Sequence, residues 1–270
     1  MFKETTDKVA IAAKKKVGFM NSNLTRFFVL SMLAGVFVGL GVMLVFSIGA
    51  PLKAAGSPMV KTIMGASFGV ALTLVIFAGS ELFTGNNMFM AIGWLSGEVT
   101  FKNMMKLWFW CYLGNLVGSI GVAWLFFKTG LITKAPTSTL ILGATAGKMN
   151  APISELFFRG VLCNILVCLA IWMGLRAKDD ISKLILIFWC LFAFIGSGFE
   201  HSVANMTILA MGLFIPGHSE TITVAGYLRN LIPVTLGNIV GGALLIGAVY
   251  FYVSNSSKSV SAEQKAQKVA

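Results

Sequence analysis

Residues 196–206 read GSGFEHSVANM and lie in the middle of a long apolar segment. Between Lys183 and Ile215, the charged or imidazole side chains are those of Glu200 and His201, which are adjacent. Placing an ionisable group among hydrocarbon side chains costs free energy, so such a residue at membrane depth indicates a functional site. The stretch therefore predicts a polar site inside an otherwise apolar fold, with His201 as its principal residue.

The composition around this stretch is typical of a polytopic membrane protein. The 270-residue chain is 57% hydrophobic and 11% charged, with a mean hydropathy of +0.84. That charge content is less than half the usual share in a soluble domain. Apolar segments long enough for a transmembrane helix, which needs about 20 residues, cover residues 27–50, 62–96, 107–127, 156–175, 184–215 and 230–253. The sequence therefore predicts an all-α fold with six membrane spans.

Basic residues lie between the spans, and their distribution predicts the orientation of the chain. Fourteen of the 21 Lys and Arg residues fall on the side that holds both termini, which the positive-inside rule assigns to the cytoplasm. The net charge of +11 therefore reflects membrane topology, and we expect membrane lipid as a partner and no nucleic acid. The predicted parts are a cytoplasmic amphipathic segment, a transmembrane channel domain and a cytoplasmic tail, at residues 1–26, 27–253 and 254–270. For the amphipathic segment 1–26 two arrangements are open: it lies on the inner membrane surface, or it covers the inner mouth of the pore as a lid.

Two of the six apolar segments are too long for one straight helix. Residues 62–96 would extend about 52 Å as a helix, whereas the hydrocarbon core is about 30 Å thick. Residues 184–215 are also too long. Each segment has glycine and polar residues near its centre, GSELFTGNNM at 79–88 in the first and the 196–206 stretch in the second. A break in each helix, with the freed backbone facing protein or a cavity, explains both the length and the polarity.

The two halves of the chain also resemble each other. LGNLVG at 113–118 corresponds to LGNIVG at 236–241, and the pairs Gly79-Ser80 and Asn87-Met88 near the first break correspond to Gly196-Ser197 and Asn205-Met206 near the second. Each half contains three spans, so the copies must cross the membrane in opposite directions. Inverted repeats with broken helices indicate a permeation site at the bilayer midplane.

The restarted helices predict the charge of the permeating species. The N-terminus of a helix presents free N–H groups and a partial positive charge, which favour an anion. Thr84 and Ser202 have suitable side chains to cap these two helices.

The cysteine, histidine and serine residues of the sequence do not have the spacing of an enzyme active site or a metal site. The four cysteines form no Cys-x-x-Cys pair, and no His-Glu-x-x-His motif is present. Ser197 and His201 lie four residues apart on one broken segment, which is unsuitable for a serine protease. The sequence therefore predicts no catalytic residue, no metal ion and no cofactor.

Three motifs resemble those of the formate/nitrite transporter family: FAGSELFTGNN at 77–87, GVLCNILVCLA at 160–170 and GFEHSVANM at 198–206. The resemblance implies an aquaporin-like fold of six helices, in which the second and fifth are broken. It implies a homopentamer in the bacterial cytoplasmic membrane, with one pore in each protomer. It also implies passage of formate, nitrite or hydrosulfide, and the motifs are most similar to those of hydrosulfide channels.

The same resemblance assigns roles to individual residues. It implies that Thr84 and His201 face each other across a central site, that Asn164 lies close to that site, and that Lys148 supplies positive charge. Apolar constrictions on either side of the centre are expected from Leu82, Phe194, Phe68 and Leu72. Glu200 is expected to be structural, either capping loop amides or pairing with a basic side chain that the sequence does not identify.

Two transport mechanisms fit these residues. In a passive channel, His201 offers a hydrogen bond to the permeating anion. In a proton-coupled symporter on the same fold, His201 is the obligatory proton carrier. We favour the channel, with hydrosulfide as the preferred anion.

Overall fold

In the computed structural model, which describes residues 2–255, the chain folds into α-helices joined by short connections. The helices that are long and apolar enough to cross a membrane are Leu24–Ala54, Val60–Gly79, Phe101–Lys128, Ile153–Gly174, Asp180–Ser197 and Val224–Asn255. The prediction of an all-α protein with six candidate spans is therefore confirmed. Most of the predicted cytoplasmic tail, residues 256–270, lies outside the described part of the chain.

The helices follow one another with little intervening coil. In the first half they are α1 Lys3–Ser22, α2 Leu24–Ala54, α3 Val60–Ser67, α4 Gly69–Thr73 with a π-helical continuation Leu74–Gly79, α5 Phe83–Leu95 and α6 Phe101–Lys128. In the second half they are α7 Thr137–Asn150, α8 Ile153–Gly174, α9 Asp180–Ser197, α10 Ser202–Phe214, α11 Val224–Ile239 with a π-helical continuation Val240–Ala248, and α12 Val249–Asn255.

The second and fifth spans are interrupted at the predicted places. The second ends at Gly79 and the chain becomes helical again at Phe83, while the fifth ends at Ser197 and resumes at Ser202. Gly79 has a φ of 83° and Gly198 a φ of 76°, a left-handed conformation that glycine adopts without strain. The glycines in these polar stretches therefore allow the chain to leave the helix.

The LGNxVG motifs pack closely against the first membrane span of each half. Helix α2 lies along α6, and α8 lies along α11. A Cβ atom added at Gly118 would collide with the carbonyl oxygen of Met32, and one at Gly241 with that of Val161. Small residues at such positions let two membrane helices approach closely. The repeated glycines therefore set the distance between the first and third spans of each half.

Substituting alanine for Gly118 tests this packing. The added methyl group would force α2 and α6 apart, and overpacking of this kind costs about 1–3 kcal/mol of folding free energy. We expect a lower midpoint for thermal unfolding of the detergent-solubilised protein. Gly121 lies on the same helix, where an added Cβ atom would meet no other atom of residues 2–255 within 4 Å, and Gly121→Ala is the matched control. Equal midpoints for the two variants would contradict the assignment.

Helix α1 packs against the protein through one face, which includes Val9, Ala13 and Val17. Its beginning is joined to α12 by a hydrogen bond of 2.7 Å between the hydroxyls of Thr6 and Ser254. Its second half brings Lys16 to a cavity that residues of the second span also line. The buried face of α1 is thus covered by the rest of the chain, and its place on the membrane surface or over the inner mouth stays a prediction.

Candidate functional site

The two interruptions meet through the side chains of Thr84 and His201. Thr84 Oγ1 lies 2.9 Å from His201 Nε2, and both residues are buried. The two groups are 117 residues apart in the chain and come from different halves. The structure therefore brings together the two residues that were predicted to form a central site.

His201 also caps the helix that it precedes. Its ring Nδ1 accepts a hydrogen bond of 3.1 Å from the backbone N–H of Ala204. An accepting Nδ1 carries no proton, so a neutral ring has its proton on Nε2, which then donates to the hydroxyl of Thr84. The hydrogen bonds thus select one tautomer and one orientation of the ring.

The predicted caps are wrong by one or two residues. Leu82 and His201 occupy the N-cap positions of α5 and α10, whereas Thr84 and Ser202 lie inside the first turns. The hydroxyl of Ser202 is buried and has no hydrogen-bond partner within residues 2–255. The prediction relied on the preference for hydroxyl side chains at the N-cap position. In α10 an imidazole takes that place, and in α5 the N-cap residue Leu82 makes no side-chain hydrogen bond to the helix.

An apolar cavity of about 10 Å³ lies beside His201. This volume is near the lower limit for one water molecule. Its lining is Val38, Phe68, Ala71, Leu72, Leu82, Val167, Leu191, Phe194 and His201. The ring of Phe194 stacks on the imidazole at 6.0 Å between centroids, and Phe68 packs edge-on against Phe194 at 5.5 Å. We call this space the narrow cavity.

The lining of the narrow cavity contains the four residues that were predicted to form constrictions. Leu82, Phe194, Phe68 and Leu72 all line this one space beside His201, and their placement on either side of the centre stays a prediction. Leu82 also lines a second cavity, and so separates the two. The family resemblance pointed to these residues, but hydropathy alone could not have separated them from ordinary core residues.

The second cavity, which we call the wide cavity, has a volume of about 600 Å³. Lys16, Glu81, Asn86, Phe89 and Lys183 contribute to its lining. The ammonium of Lys16 lies 2.6 Å from Glu81 Oε2 and 5.2 Å from the centre of the Phe89 ring. The sequence placed Lys16 in a surface helix or a lid and did not predict its ion pair with Glu81, because the two residues are 65 positions apart.

Lys148 is the basic partner of Glu200 that the sequence did not identify. Its ammonium donates to both carboxylate oxygens at 2.8 Å, so its positive charge is compensated by a buried carboxylate. Asn205 Nδ2 also donates to this carboxylate, at 2.5 Å. Each interruption thus carries a glutamate held by one lysine and one asparagine.

The asparagine contacts also correct the predicted correspondence between the two halves. Asn86 Nδ2 donates to Glu81 at 2.9 Å, just as Asn205 donates to Glu200. Asn86 is therefore the counterpart of Asn205, and the predicted match with Asn87 was wrong by one residue. Asn87 Oδ1 instead accepts from Asn164 at 3.0 Å.

Asn164 lies next to the central pair without contacting the imidazole. Its Nδ2 is 3.2 Å from the carbonyl oxygen of Thr84 and 2.6 Å from that of Asn238. It is fully buried. Asn164 therefore links α8 to α5 and α11 close to the centre, as the resemblance implied for its position.

Comparisons with known proteins extend over nearly the whole chain. A sequence profile described as "Formate/nitrite transporter" matches residues 3–252. The chain is 45% identical over 254 residues to the nitrite transporter NirC of Escherichia coli, covering 94% of this chain and 93% of that protein. It is 33% identical over 250 residues to the formate channel FocA of Haemophilus influenzae, covering 84% of this chain and 87% of that protein.

Two solved structures have the same fold. An FNT family ion channel matches with a TM-score of 0.89 and 43% identity, over 93% of this chain and 99% of that one. A pentameric formate channel with formate bound matches with a TM-score of 0.74 and 29% identity, over 84% of this chain and 96% of that one. Sequence and structure therefore agree across both halves of the molecule.

Proposed function

Because this chain belongs to the formate/nitrite transporter family, we propose that it is a passive channel for small monovalent anions with its central site at Thr84 and His201. The family consists of transporters and channels, so the chain is a multi-pass membrane transport protein and not an enzyme. The observation that carries the proposal is the buried Thr84–His201 hydrogen bond beside the narrow apolar cavity.

The two cavities suggest the steps of permeation. An anion enters the wide cavity, whose lining includes Lys16 and Lys183. The ammonium of Lys183 is paired with Asp180 at 2.8 Å, as that of Lys16 is with Glu81.

The anion then loses water as it passes Leu82 into the narrow cavity. There the Nε2–H of His201, which lines this cavity, passes its hydrogen bond from the Thr84 hydroxyl to the anion, and the freed hydroxyl can donate as well. These donors replace part of the lost hydration. The apolar walls exclude larger and more strongly hydrated ions.

The hydrogen bond to Nδ1 favours the channel over the proton-coupled symporter. A symporter needs an imidazole that gains and loses a proton in each cycle. Protonation of Nδ1 would break its hydrogen bond with the N–H of Ala204 and leave that buried donor unpaired. A neutral ring that donates from Nε2 can instead stabilise an anion while its own protonation state stays unchanged.

The lysine–glutamate pairs keep the attraction for anions moderate. Lys16 and Lys148 each contact a carboxylate, at 2.6 Å and 2.8 Å. An isolated ammonium beside the path would bind an anion strongly and slow its exit, and conduction requires weak sites. The paired lysines can still donate hydrogen bonds to an anion that passes.

We also propose the assembly, the orientation and the range of substrates. The pentameric state of the matched formate channel supports a homopentamer with one pore in each protomer. The distribution of basic residues supports cytoplasmic termini in a bacterial membrane. Formate and nitrite are supported by the names of the matched relatives, whereas hydrosulfide rests on the resemblance of the motifs alone.

Anion flux into proteoliposomes of the purified protein tests the proposal. Formate, nitrite, hydrosulfide and chloride would be compared, with and without an imposed pH gradient. We expect electrogenic flux of at least one of the first three without coupled proton movement. Accumulation that depends on the pH gradient would favour the symporter. The absence of flux for all four anions would contradict transport of small anions.

Replacing Thr84 with valine should reduce this flux. Valine has nearly the same shape but no hydroxyl, so the Nε2–H of His201 would lose its buried partner, which costs about 1–3 kcal/mol. We expect flux to fall about tenfold, since about 1.4 kcal/mol corresponds to a factor of ten. Thr84→Ser retains the hydroxyl and should keep most of the activity. Equal flux through the valine and serine variants would rule out a role for this hydroxyl.

A further inference from the structure

The asparagine of each LGNxVG motif is fully buried and hydrogen-bonded to one of the interruptions. Asn115 Oδ1 accepts from the backbone N–H of Phe83 at 2.9 Å. Its Nδ2 donates to the carbonyl oxygen of Glu81 at 2.9 Å and to that of Ser31 at 2.8 Å. The carboxamide therefore binds the backbone on both sides of Leu82.

Asn238 makes the same three contacts in the second half. Its Oδ1 accepts from the backbone N–H of Ser202 at 2.9 Å. Its Nδ2 donates to the carbonyl oxygens of Glu200 at 3.0 Å and Gly160 at 2.8 Å. The residue enclosed by these contacts is His201.

The enclosed residues have matching backbone conformations. Leu82 has φ −96° and ψ 124°, and His201 has φ −108° and ψ 115°. In an extended chain, the carbonyl before a residue and the N–H after it point to the same side, where a neighbouring strand would pair with them. Among residues 2–255 no strand lies beside Leu82 or His201, and the asparagine carboxamide supplies the hydrogen-bond donor and acceptor that a strand would provide. It therefore stabilises the extended conformation of one residue in each half.

This conformation determines where the enclosed side chains point. The side chain of an extended residue projects roughly at right angles to its hydrogen-bonding direction. The asparagine therefore binds the backbone without occupying the space that the side chain needs. Leu82 and His201 both line the narrow cavity, as this geometry requires.

We propose that Asn115 and Asn238 are positioning residues for permeation, each holding one residue of the path, Leu82 or His201, with its side chain directed into the narrow cavity. The third hydrogen bond of each asparagine reaches a carbonyl group of α2 or α8, so each is anchored to a continuous membrane helix. The inference rests on the proposed conduction of small anions.

The two asparagines are matched controls for each other. Both are fully buried, and Asn115→Ala and Asn238→Ala each remove three hydrogen bonds, but they release different residues. Flux of formate, nitrite and chloride would be measured in proteoliposomes over a range of pH. Assembly of each variant would be checked by gel filtration.

We expect both variants to conduct less, by about tenfold, because each leaves buried backbone groups unpaired. Their selectivity should differ. Asn115→Ala releases Leu82, so the ratio of formate to chloride flux should fall by about tenfold, with the wild-type pH profile retained. Asn238→Ala releases the imidazole, so the pH profile of flux should change. Equal losses with unchanged selectivity and pH profile in both variants would overturn the inference.

Aspartate variants provide a second test if the alanine variants do not assemble. A protonated aspartic acid retains the acceptor for the N–H group and a donor for one of the two carbonyls. Asn115→Asp and Asn238→Asp should therefore show the same two patterns with smaller changes. Failure of both to assemble would assign the asparagines to folding and would overturn the inference. An inactive wild-type protein would instead contradict the proposed channel function.

Discussion

Replacing His201 with asparagine should reduce anion flux strongly and leave the assembled protein intact. Asparagine is among the best N-cap residues, so its side-chain oxygen can accept the N–H of Ala204 in place of Nδ1. It is too short to place a donor where Nε2 now contacts Thr84. Hydrogen bonds to charged groups contribute about 1.5–3 kcal/mol, so we expect flux to fall about 100-fold.

Alanine at position 201 separates the two roles of the imidazole. His201→Ala removes both the cap and the central donor. Its flux should be as low as that of the asparagine variant, while the loss of the cap should cost about 1 kcal/mol of stability in addition. Thermal unfolding in detergent and flux in proteoliposomes measure the two effects independently. Wild-type flux through the asparagine variant would exclude His201 as the central donor.

Replacing Lys148 with methionine should strongly destabilise the protein. The side chain of Glu200 is 5% exposed and that of Lys148 21% exposed, so the substitution strands a buried carboxylate. Breaking a buried pair in this way costs about 3–5 kcal/mol, and partial exposure of the lysine places the expected loss near 3 kcal/mol. The measurement is the thermal unfolding midpoint of the detergent-solubilised protein.

Two further variants separate the stranded charge from a loss of packing. In the double variant Lys148→Met with Glu200→Gln, no charge remains, and most of the stability should return. Lys16→Met strands Glu81, whose side chain is more exposed at 11%, and should cost less than Lys148→Met. If the double variant were as unstable as Lys148→Met alone, the lysine would act through packing and not through its charge.

The sequence predicted the membrane spans because length and hydropathy are local properties. The six spans and the family are confirmed. The roles of Lys148 and Asn164 in the pore stay predictions. Thr84 and His201 could be paired before the structure was known only because a family resemblance supplied the contact.

Features that depend on how helices dock were missed or wrong. Lys16 lies in a run of three lysines, and only the docking of α1 decides that this one reaches Glu81. The match of Asn87 with Asn205 failed because similarity of residues cannot detect a shift of one position in a short polar stretch. The hydrogen bonds from Asn86 to Glu81 and from Asn205 to Glu200 show which asparagines correspond.

The contacts that hold each interruption have a consequence for synthesis of the protein. Around the first interruption, the hydrogen bonds to Glu81 and to the backbone beside Leu82 come from residues 16–115, including Lys16 and Asn115. Around the second, the hydrogen bonds to Glu200 and to the backbone beside His201 come from residues 148–238, beginning with Lys148. The ribosome therefore completes one set before it starts the other. Each half can order its own break on insertion, and the Thr84–His201 pair forms only when the finished halves meet.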